Sequence, residues 1–133
     1  MTTHATGTFE VKLNPAASDT PAEGAPLGRL TIDKQWHGDL EGVSTGEMLT
    51  AGAVVKGSAG YVAVERFAGA LQGRVGTFAL MHTGVMNRGV PQLSIMVVPD
   101  SGTGELSGVA GTLMINIADG KHSYDLEFTI APT

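Results

Sequence analysis

Apolar and polar residues alternate along most of this chain, the pattern of β-strands that bury one face and expose the other. In the segment TFEVKL, Phe9, Val11 and Leu13 are the apolar members of such an alternation. The segment HSYDLEFTI near the end of the chain shows the same two-residue period. Helix signals are scarce, so the pattern predicts a chain built from strands.

About eight segments of this kind follow one another, separated by turn residues. Asp119-Gly120 joins the last two and favours the positive φ angles of a type I′ hairpin. Without helices to carry parallel crossovers the sheet is predicted to be antiparallel, as a sandwich or a closed barrel. Glycine makes up 19 of 133 residues, and glycines inside strands favour a barrel, whose strands must bend. We therefore predict an all-β, single-domain antiparallel β-barrel over residues 1–133.

Two segments depart from simple alternation. Residues 14–26, NPAASDTPAEGAP, are rich in proline and alanine and are predicted to form a long loop. Residues 92–98, QLSIMVV, are almost continuously apolar, which predicts a strand covered on both faces.

The stretch GTGELSGVAGTLMI, residues 102–115, has the glycine density of a phosphate-binding loop. Its glycines are spaced Gly102-x-Gly104-x-x-x-Gly108, and it lacks both the Walker lysine and the strand–loop–helix context of nucleotide loops. The pattern Leu-x-Gly-x-x-Gly-Thr occurs at residues 106–112 and also at 71–77, each time before a predicted strand. We interpret the motif as a structural turn that starts a strand.

The stretch SGTGELSGVAGTLMI resembles the glycine signature of allene oxide cyclases and dirigent proteins. Most of the chain, residues 5–130, is similar to an uncharacterised bacterial domain family assigned to that barrel class. Its supporting stretches are DKQWHGDLEGVSTGEML (33–49), GYVAVERF (60–67), PQLSIMVVPDSGTGEL (91–106) and DGKHSYDLEF (119–128).

This resemblance implies an eight-stranded antiparallel barrel that is commonly oligomeric. It carries over no catalytic residue, because the cysteine and other pocket groups of the plant cyclases have no counterpart in this sequence. The bacterial family brings no known function with it.

Composition excludes several classes of protein. The chain has no cysteine, so disulfides, thiolate nucleophiles and cysteine-bound zinc are excluded. Its net charge is −5 with 8 scattered lysines and arginines, which argues against binding to nucleic acid or to an anionic membrane surface. The N-terminal residues show no signal peptide and no apolar run reaches the length of a membrane helix. We therefore expect a cytoplasmic protein.

Motifs for a cofactor, a metal or a nucleophile are missing as well. His4, His37, His82 and His122 are far apart and form no H-x-H or H-E-x-x-H motif. No G-x-S-x-G sequence marks a nucleophilic serine. We expect neither a metal nor a cofactor.

Polar residues in phase with apolar ones are the most informative chemical feature. Lys34 is in phase with Ile32 and Trp36, Glu65 with Ala63 and Phe67, His82 with Leu80, and Tyr124 with Leu126. Buried charges are costly unless they are paired, so Lys34 and Glu65 are either an ion pair or close to a barrel mouth. The candidate acid–base residues are Glu65, His82 and Tyr124, and the candidate ligand-binding residues are Lys34, Trp36, Tyr61, Phe78 and Phe128.

Two questions about the interior stay open at this point. An eight-stranded barrel holds either a small ligand or a solid packing of side chains. The opposite strand parity, with Val43, Glu47 and Arg66 inside, also fits the weakly alternating segments.

Three functional hypotheses follow. The leading one is a cofactor-free barrel that binds a small, largely apolar molecule in its interior. The second is a cyclase or isomerase that uses interior Glu and His side chains as acid–base groups. The third is a non-catalytic module that forms a homo-oligomer through the doubly apolar strand at residues 93–98.

Overall fold

A computed structural model describes residues 2–16 and 24–131, and these residues form nine β-strands and no helix. The strands are β1 (Thr3–Pro15), β2 (Leu27–Gly38), β3 (Leu40–Gly52), β4 (Ala59–Leu71), β5 (Arg74–Asn87), β6 (Val90–Val97), β7 (Thr103–Gly104), β8 (Val109–Ala118) and β9 (Lys121–Ile130).

Eight of these strands close into an antiparallel barrel, as the alternation predicts. Neighbours in the chain pair from β1 to β6, β6 pairs with β8, β8 with β9, and β9 with β1. The two-residue strand β7 adds to the start of β5. The β6–β8 junction contains one residue pair, Met96 with Thr112, whereas the other seven junctions each pair seven or more residues along each strand. The predicted all-β barrel is confirmed.

Burial alternates along the strands and fixes which side chains point inward. The inward set is almost entirely apolar and includes Phe9, Trp36, Phe67, Phe78 and Leu126, all less than 5% exposed. The parity that would place Val43, Glu47 and Arg66 inside is wrong, because all three side chains are exposed on the outer wall. Their strands keep the register in which Ser44 and Glu65 face the interior.

Tight hairpins join several of the strands. At Asp119-Gly120 both residues have positive φ, 53° and 76°, and Ala118 pairs with Lys121. This is the geometry of the predicted type I′ hairpin. Gln72-Gly73 and Arg88-Gly89 form two-residue turns of the same kind, with φ values of 48°, 85°, 49° and 88°.

The glycine motif builds one end of the barrel. The segment between β7 and β8 turns through Gly104 and Gly108, at φ 62° and 83°, and directs Leu106 into the core, where it is fully buried. A side chain at Gly102 would collide with the carbonyl oxygen of Leu106. Leu40, Leu71 and Leu106 are all fully buried and close this end, which we call the closed end. The motif is therefore structural, as the sequence predicts.

Two local predictions need correction. The loop predicted over residues 14–26 starts later, because Asn14 and Pro15 belong to β1 and pair with Thr31 and Leu30. Residues 17–23 of that loop lie outside the described part of the chain. The strand at 92–98 is covered on one face only: Ile95 and Val97 are buried on the inner face, whereas Met96 on the outer face is 39% exposed. Continuous apolar character here reflects an apolar outer wall, which a single barrel leaves uncovered.

Tyr124 ties the core to the turn between β2 and β3. Its hydroxyl accepts a hydrogen bond from the Leu40 backbone N–H at 2.8 Å and donates one to the His37 carbonyl at 3.0 Å. The ring packs against Trp36 at a centroid distance of 5.1 Å. The hydroxyl lies beside Gly7, where a Cβ atom would come within 2.6 Å of it. Tyr124 is therefore a structural tyrosine whose hydroxyl satisfies the backbone.

We expect Tyr124→Phe to lower the free energy of unfolding by about 1–3 kcal/mol, because it leaves the buried Leu40 N–H without an acceptor. Urea denaturation followed by fluorescence measures the change. Tyr61→Phe is the matched control, because the Tyr61 hydroxyl makes no hydrogen bond within the described residues. Equal losses in the two variants would contradict this role for Tyr124.

Candidate functional site

Four neighbouring strands bring polar side chains together inside the barrel. Lys34 of β2 lies opposite Ser44 of β3, Glu65 comes from β4, and His82 comes from β5. All four side chains are less than 9% exposed. We call this group the buried polar layer. Its members are ten or more residues apart in the chain and meet only because the strands are consecutive in the sheet.

Glu65 is the centre of the buried polar layer. Lys34 Nζ donates a hydrogen bond to its Oε2 at 2.8 Å, and Ser44 Oγ donates one to its Oε1 at 2.6 Å. Trp36 Nε1 donates to Ser44 Oγ at 2.9 Å and thereby orients the serine. Both carboxylate oxygens are thus occupied by donors. Lys34 and Glu65 therefore form an ion pair, which is one of the two arrangements that the sequence left open.

His82 approaches the same carboxylate, with Nε2 at 2.6 Å from Oε2 of Glu65. The N–H direction is not aligned with the oxygen, so Nε2 lacks a well-formed hydrogen bond. A carboxylate oxygen only accepts, so this close contact is attractive when Nε2 carries a proton. The other ring nitrogen, Nδ1, then has a free lone pair in the neutral ring.

Aromatic rings surround the Lys34 ammonium group. Its Nζ lies 4.9 Å from the centroid of the Phe9 ring and 5.2 Å from that of Trp36. Rings at these distances attract a cation through their negative faces. Together with Glu65, they compensate Lys34 for the water that it loses on burial.

Glu65 is held as an anion. Burial by itself raises the pKa of a carboxyl group, but the contacts with His82, Lys34 and Ser44 outweigh it and lower the pKa of Glu65 to about 2. Burial and the negative charge of Glu65 both raise the pKa of Tyr61, which stays a neutral phenol. The layer thus consists of the Lys34–Glu65 ion pair, the Ser44 hydroxyl and the His82 ring.

The barrel end beyond the buried polar layer is less covered than the closed end. Several inward-phase apolar side chains there are partly exposed: Leu13 is 44%, Met86 40%, Leu93 48% and Ile117 63% exposed. These residues lie where β1, β5 and β8 end and β6 begins, which the strand directions place at one end of the barrel. We call this the open end.

Tyr61 stands between the buried polar layer and the open end. It is half-buried, and its ring lies 6.5 Å from the His82 ring, centroid to centroid. The ring covers the backbone at Gly84, where a Cβ atom would come within 2.3 Å of Tyr61 Cε1. Gly84 thus leaves the space that Tyr61 fills above His82.

The predicted site residues separate into two groups. Lys34, Glu65, His82 and Tyr61 form or adjoin the buried polar layer, as their phase indicated. Trp36, Phe78 and Phe128 are buried in the packed interior, and Tyr124 is bonded to the backbone, so none of these four faces the open end. The predicted ligand role of the three aromatic residues stays a prediction.

Two members of the site are absent from the sequence-based candidates. Ser44 lies in a weakly alternating segment whose phase is hard to assign, and Phe9 contacts Lys34 only through the pairing of β1 with β2. The sequence signal that could have identified Ser44 is its phase, because it lies on the same face of β3 as the apolar Leu40.

Within residues 2–16 and 24–131, no group of three or more His, Asp or Glu side chains is arranged to hold a metal ion. The same ranges contain no helix of the length and apolarity needed to cross a membrane.

We expect Glu65→Gln to lower the free energy of unfolding by about 3–5 kcal/mol at pH 7, because it leaves Lys34 buried without its counter-charge. The pKa of Glu65 is lower in the fold than its ordinary value of 4.5. Ionised Glu65 therefore stabilises the fold fully above pH 4.5, and the contribution is lost as the pH falls towards 2. The difference between wild type and variant should shrink over that range.

Urea titrations at several pH values measure this difference. Glu47→Gln is the control, because Glu47 pairs with Arg29 on the exposed wall and its loss should cost about 1 kcal/mol or less. A difference between wild type and Glu65→Gln that stayed constant from pH 5 to pH 2 would contradict the assignment.

Comparison with known proteins identifies a family without indicating an activity. No curated protein matches the chain. The crystal structure of a protein with unknown function from the DUF3224 family of Shewanella oneidensis MR-1 is similar, at 48% identity and a TM-score of 0.95, with 100% of both chains covered. A family model described as "Protein of unknown function (DUF3224)" matches residues 5–128. The predicted membership of an uncharacterised bacterial family is confirmed, and the likeness to allene oxide cyclases stays a prediction. Because the family model spans almost the whole chain, this protein belongs to the DUF3224 family.

Proposed function

We propose that this barrel binds a small, largely apolar molecule at its open end, against Tyr61 and the buried polar layer. The observation that carries the proposal is the partial exposure of inward-phase apolar side chains at this end, whereas Leu40, Leu71 and Leu106 are completely buried at the closed end. Burying apolar surface gains about 25 cal/mol per Å². A ligand that covers Leu13, Leu93 and Ile117 gains this energy without any rearrangement of the strands.

The buried polar layer supports the same proposal as the floor of the site. Lys34 and Glu65 form an ion pair, so their charges offset each other beneath an apolar molecule. Tyr61 offers an aromatic surface and a neutral hydroxyl. A few polar groups beneath an apolar wall are typical of small-molecule sites.

Binding is better supported than acid–base catalysis by these groups. Glu65 is ionised, is bonded at both oxygens and has no exposed side-chain surface, so it is a poor proton donor or acceptor at neutral pH. The Tyr124 hydroxyl is occupied by the backbone. His82 differs from them, because its Nδ1 atom makes no hydrogen bond to any residue that the structure describes.

We expect an apolar aromatic probe such as 4-butylanisole to bind, and Leu93→Asp to weaken its binding at least tenfold, because the variant places a charge in the apolar wall of the open end. Isothermal titration calorimetry measures the affinity. Val43→Asp is the matched control, since Val43 is 46% exposed but points outward. If the probe does not bind the wild type, or if both variants bind it equally, the site is not at the open end.

A second proposal concerns the outer wall, for which we infer association with a second copy of this chain. The exposed outward side chains of β3 to β6 form an apolar stripe, with Val64 paired to Met81 and Met81 paired to Met96 across neighbouring strands. Leu49 and Val62 continue the stripe on β3 and β4. A shallow groove of about 780 Å³ crosses the same wall. Contiguous apolar surface of this kind is typical of interaction sites.

We expect the wild type to form an oligomer and Val64→Asp to be monomeric, because the aspartate would have to be buried in the interface. Light scattering with size-exclusion chromatography measures the mass. Val75→Asp is the control, because Val75 is 60% exposed but lies outside the stripe, near the closed end. A monomeric wild type would overturn this proposal. The cytoplasmic location expected from the sequence remains a prediction.

A further inference from the structure

We infer that the ligand of the open end carries one hydroxyl group, an alcohol or a phenol, that donates a hydrogen bond to His82 Nδ1. This inference rests on the proposed binding function and adds the chemical class of the ligand. It is carried by the orientation of one buried imidazole and by the groups that surround it.

The first step is the proton on the ring. Nε2 of His82 lies 2.6 Å from Glu65 Oε2, a carboxylate oxygen that also receives the Lys34 ammonium group. An unprotonated Nε2 at this distance would set its lone pair against a negative oxygen. In the neutral ring, the form to which this inference applies, the proton therefore sits on Nε2 and Nδ1 is an acceptor.

The second step concerns the other ring nitrogen, Nδ1. This atom accepts no hydrogen bond from the described residues. Among those residues, the one fully buried side-chain nitrogen or oxygen atom without a hydrogen-bond partner is His82 Nε2. Nδ1 is consequently not sealed from outside, although the side chain as a whole is only 5% exposed. A nearly buried acceptor that no described residue satisfies favours a ligand that donates to it.

The third step is the choice of the donor group. A ligand ammonium group would add a second cation beside Lys34, with one carboxylate between them. A carboxylate ligand cannot donate to Nδ1 and would lie close to Glu65. A neutral hydroxyl satisfies Nδ1 without changing the charge of the layer. Its apolar body then lies along Tyr61 and the half-exposed side chains of the open end.

The test compares two probes that differ in one group. We expect 4-butylphenol to bind the wild-type protein about tenfold more tightly than 4-butylanisole, in which the hydroxyl proton is replaced by a methyl group. Tenfold corresponds to about 1.4 kcal/mol, the size of a good net hydrogen bond. Calorimetry at one pH and one salt concentration measures both affinities.

Two variants assign the preference to the histidine. His82→Phe should bind both probes equally, because the ring stays but the acceptor is gone. Tyr61→Phe should keep the preference for the phenol, since the acceptor is the imidazole and not the Tyr61 hydroxyl. If Tyr61→Phe removes the preference and His82→Phe retains it, the inference is overturned.

A spectroscopic measurement tests the ring directly and does not depend on how well His82→Phe folds. In ¹⁵N spectra of the wild type, Nε2 should carry the proton of the neutral ring, and the Nδ1 resonance should shift on addition of 4-butylphenol but not of 4-butylanisole. A proton on Nδ1, or equal shifts with both probes, would overturn the inference.

The two levels of proposal fail in different ways. If the wild type binds 4-butylphenol and 4-butylanisole with equal affinity, the proposed binding site stands but the inference that its ligand carries a hydroxyl group fails. Absence of binding for both probes removes the site, and with it the inference about its ligand.

Discussion

A carboxylate enclosed by protein needs donors on both oxygens, and in this barrel that requirement links four strands. Glu65 on β4 is satisfied by Lys34 on β2 and Ser44 on β3, and His82 on β5 adds a close contact. The loss of one donor would leave charge in a medium that solvates it poorly. The register of β2 to β5 is therefore constrained by side-chain electrostatics as well as by the backbone ladder, since a slip of one residue would turn each group outward.

The two ends of the barrel differ because different kinds of side chain fill them. At the closed end Leu40, Leu71 and Leu106 complete an apolar plug, and the glycine motif supplies the turn that brings Leu106 inward. Towards the open end, burial becomes incomplete beyond the buried polar layer, and Tyr61 covers the layer in part. The motif that looks most like a ligand loop thus seals the barrel, and the buried polar layer comes from other, alternating segments of the chain.

Local spacing in the sequence was enough to predict three features. These are the fold class, the hairpin at Asp119-Gly120 and the inward phase of Lys34, Glu65 and His82. The role of Ser44 depends on strand pairing, which a weakly alternating segment does not reveal. Tyr124 had the inward phase of a site residue, but its hydroxyl bonds to backbone more than eighty positions away. The packed aromatic interior also depends on the barrel's closure, which alternation alone does not determine.

The junction between β6 and β8, with its one pair at Met96 and Thr112, has a consequence for the motions of this barrel. Seven junctions are long backbone ladders, so this side is held shut mainly by core side chains such as Ile95, Val97 and Leu113. Opening it breaks few backbone hydrogen bonds and leaves the rest of the sheet intact. Amide protons along this junction should exchange with solvent through local separation, well before those of β2 to β5, which exchange only when the sheet unfolds as a whole.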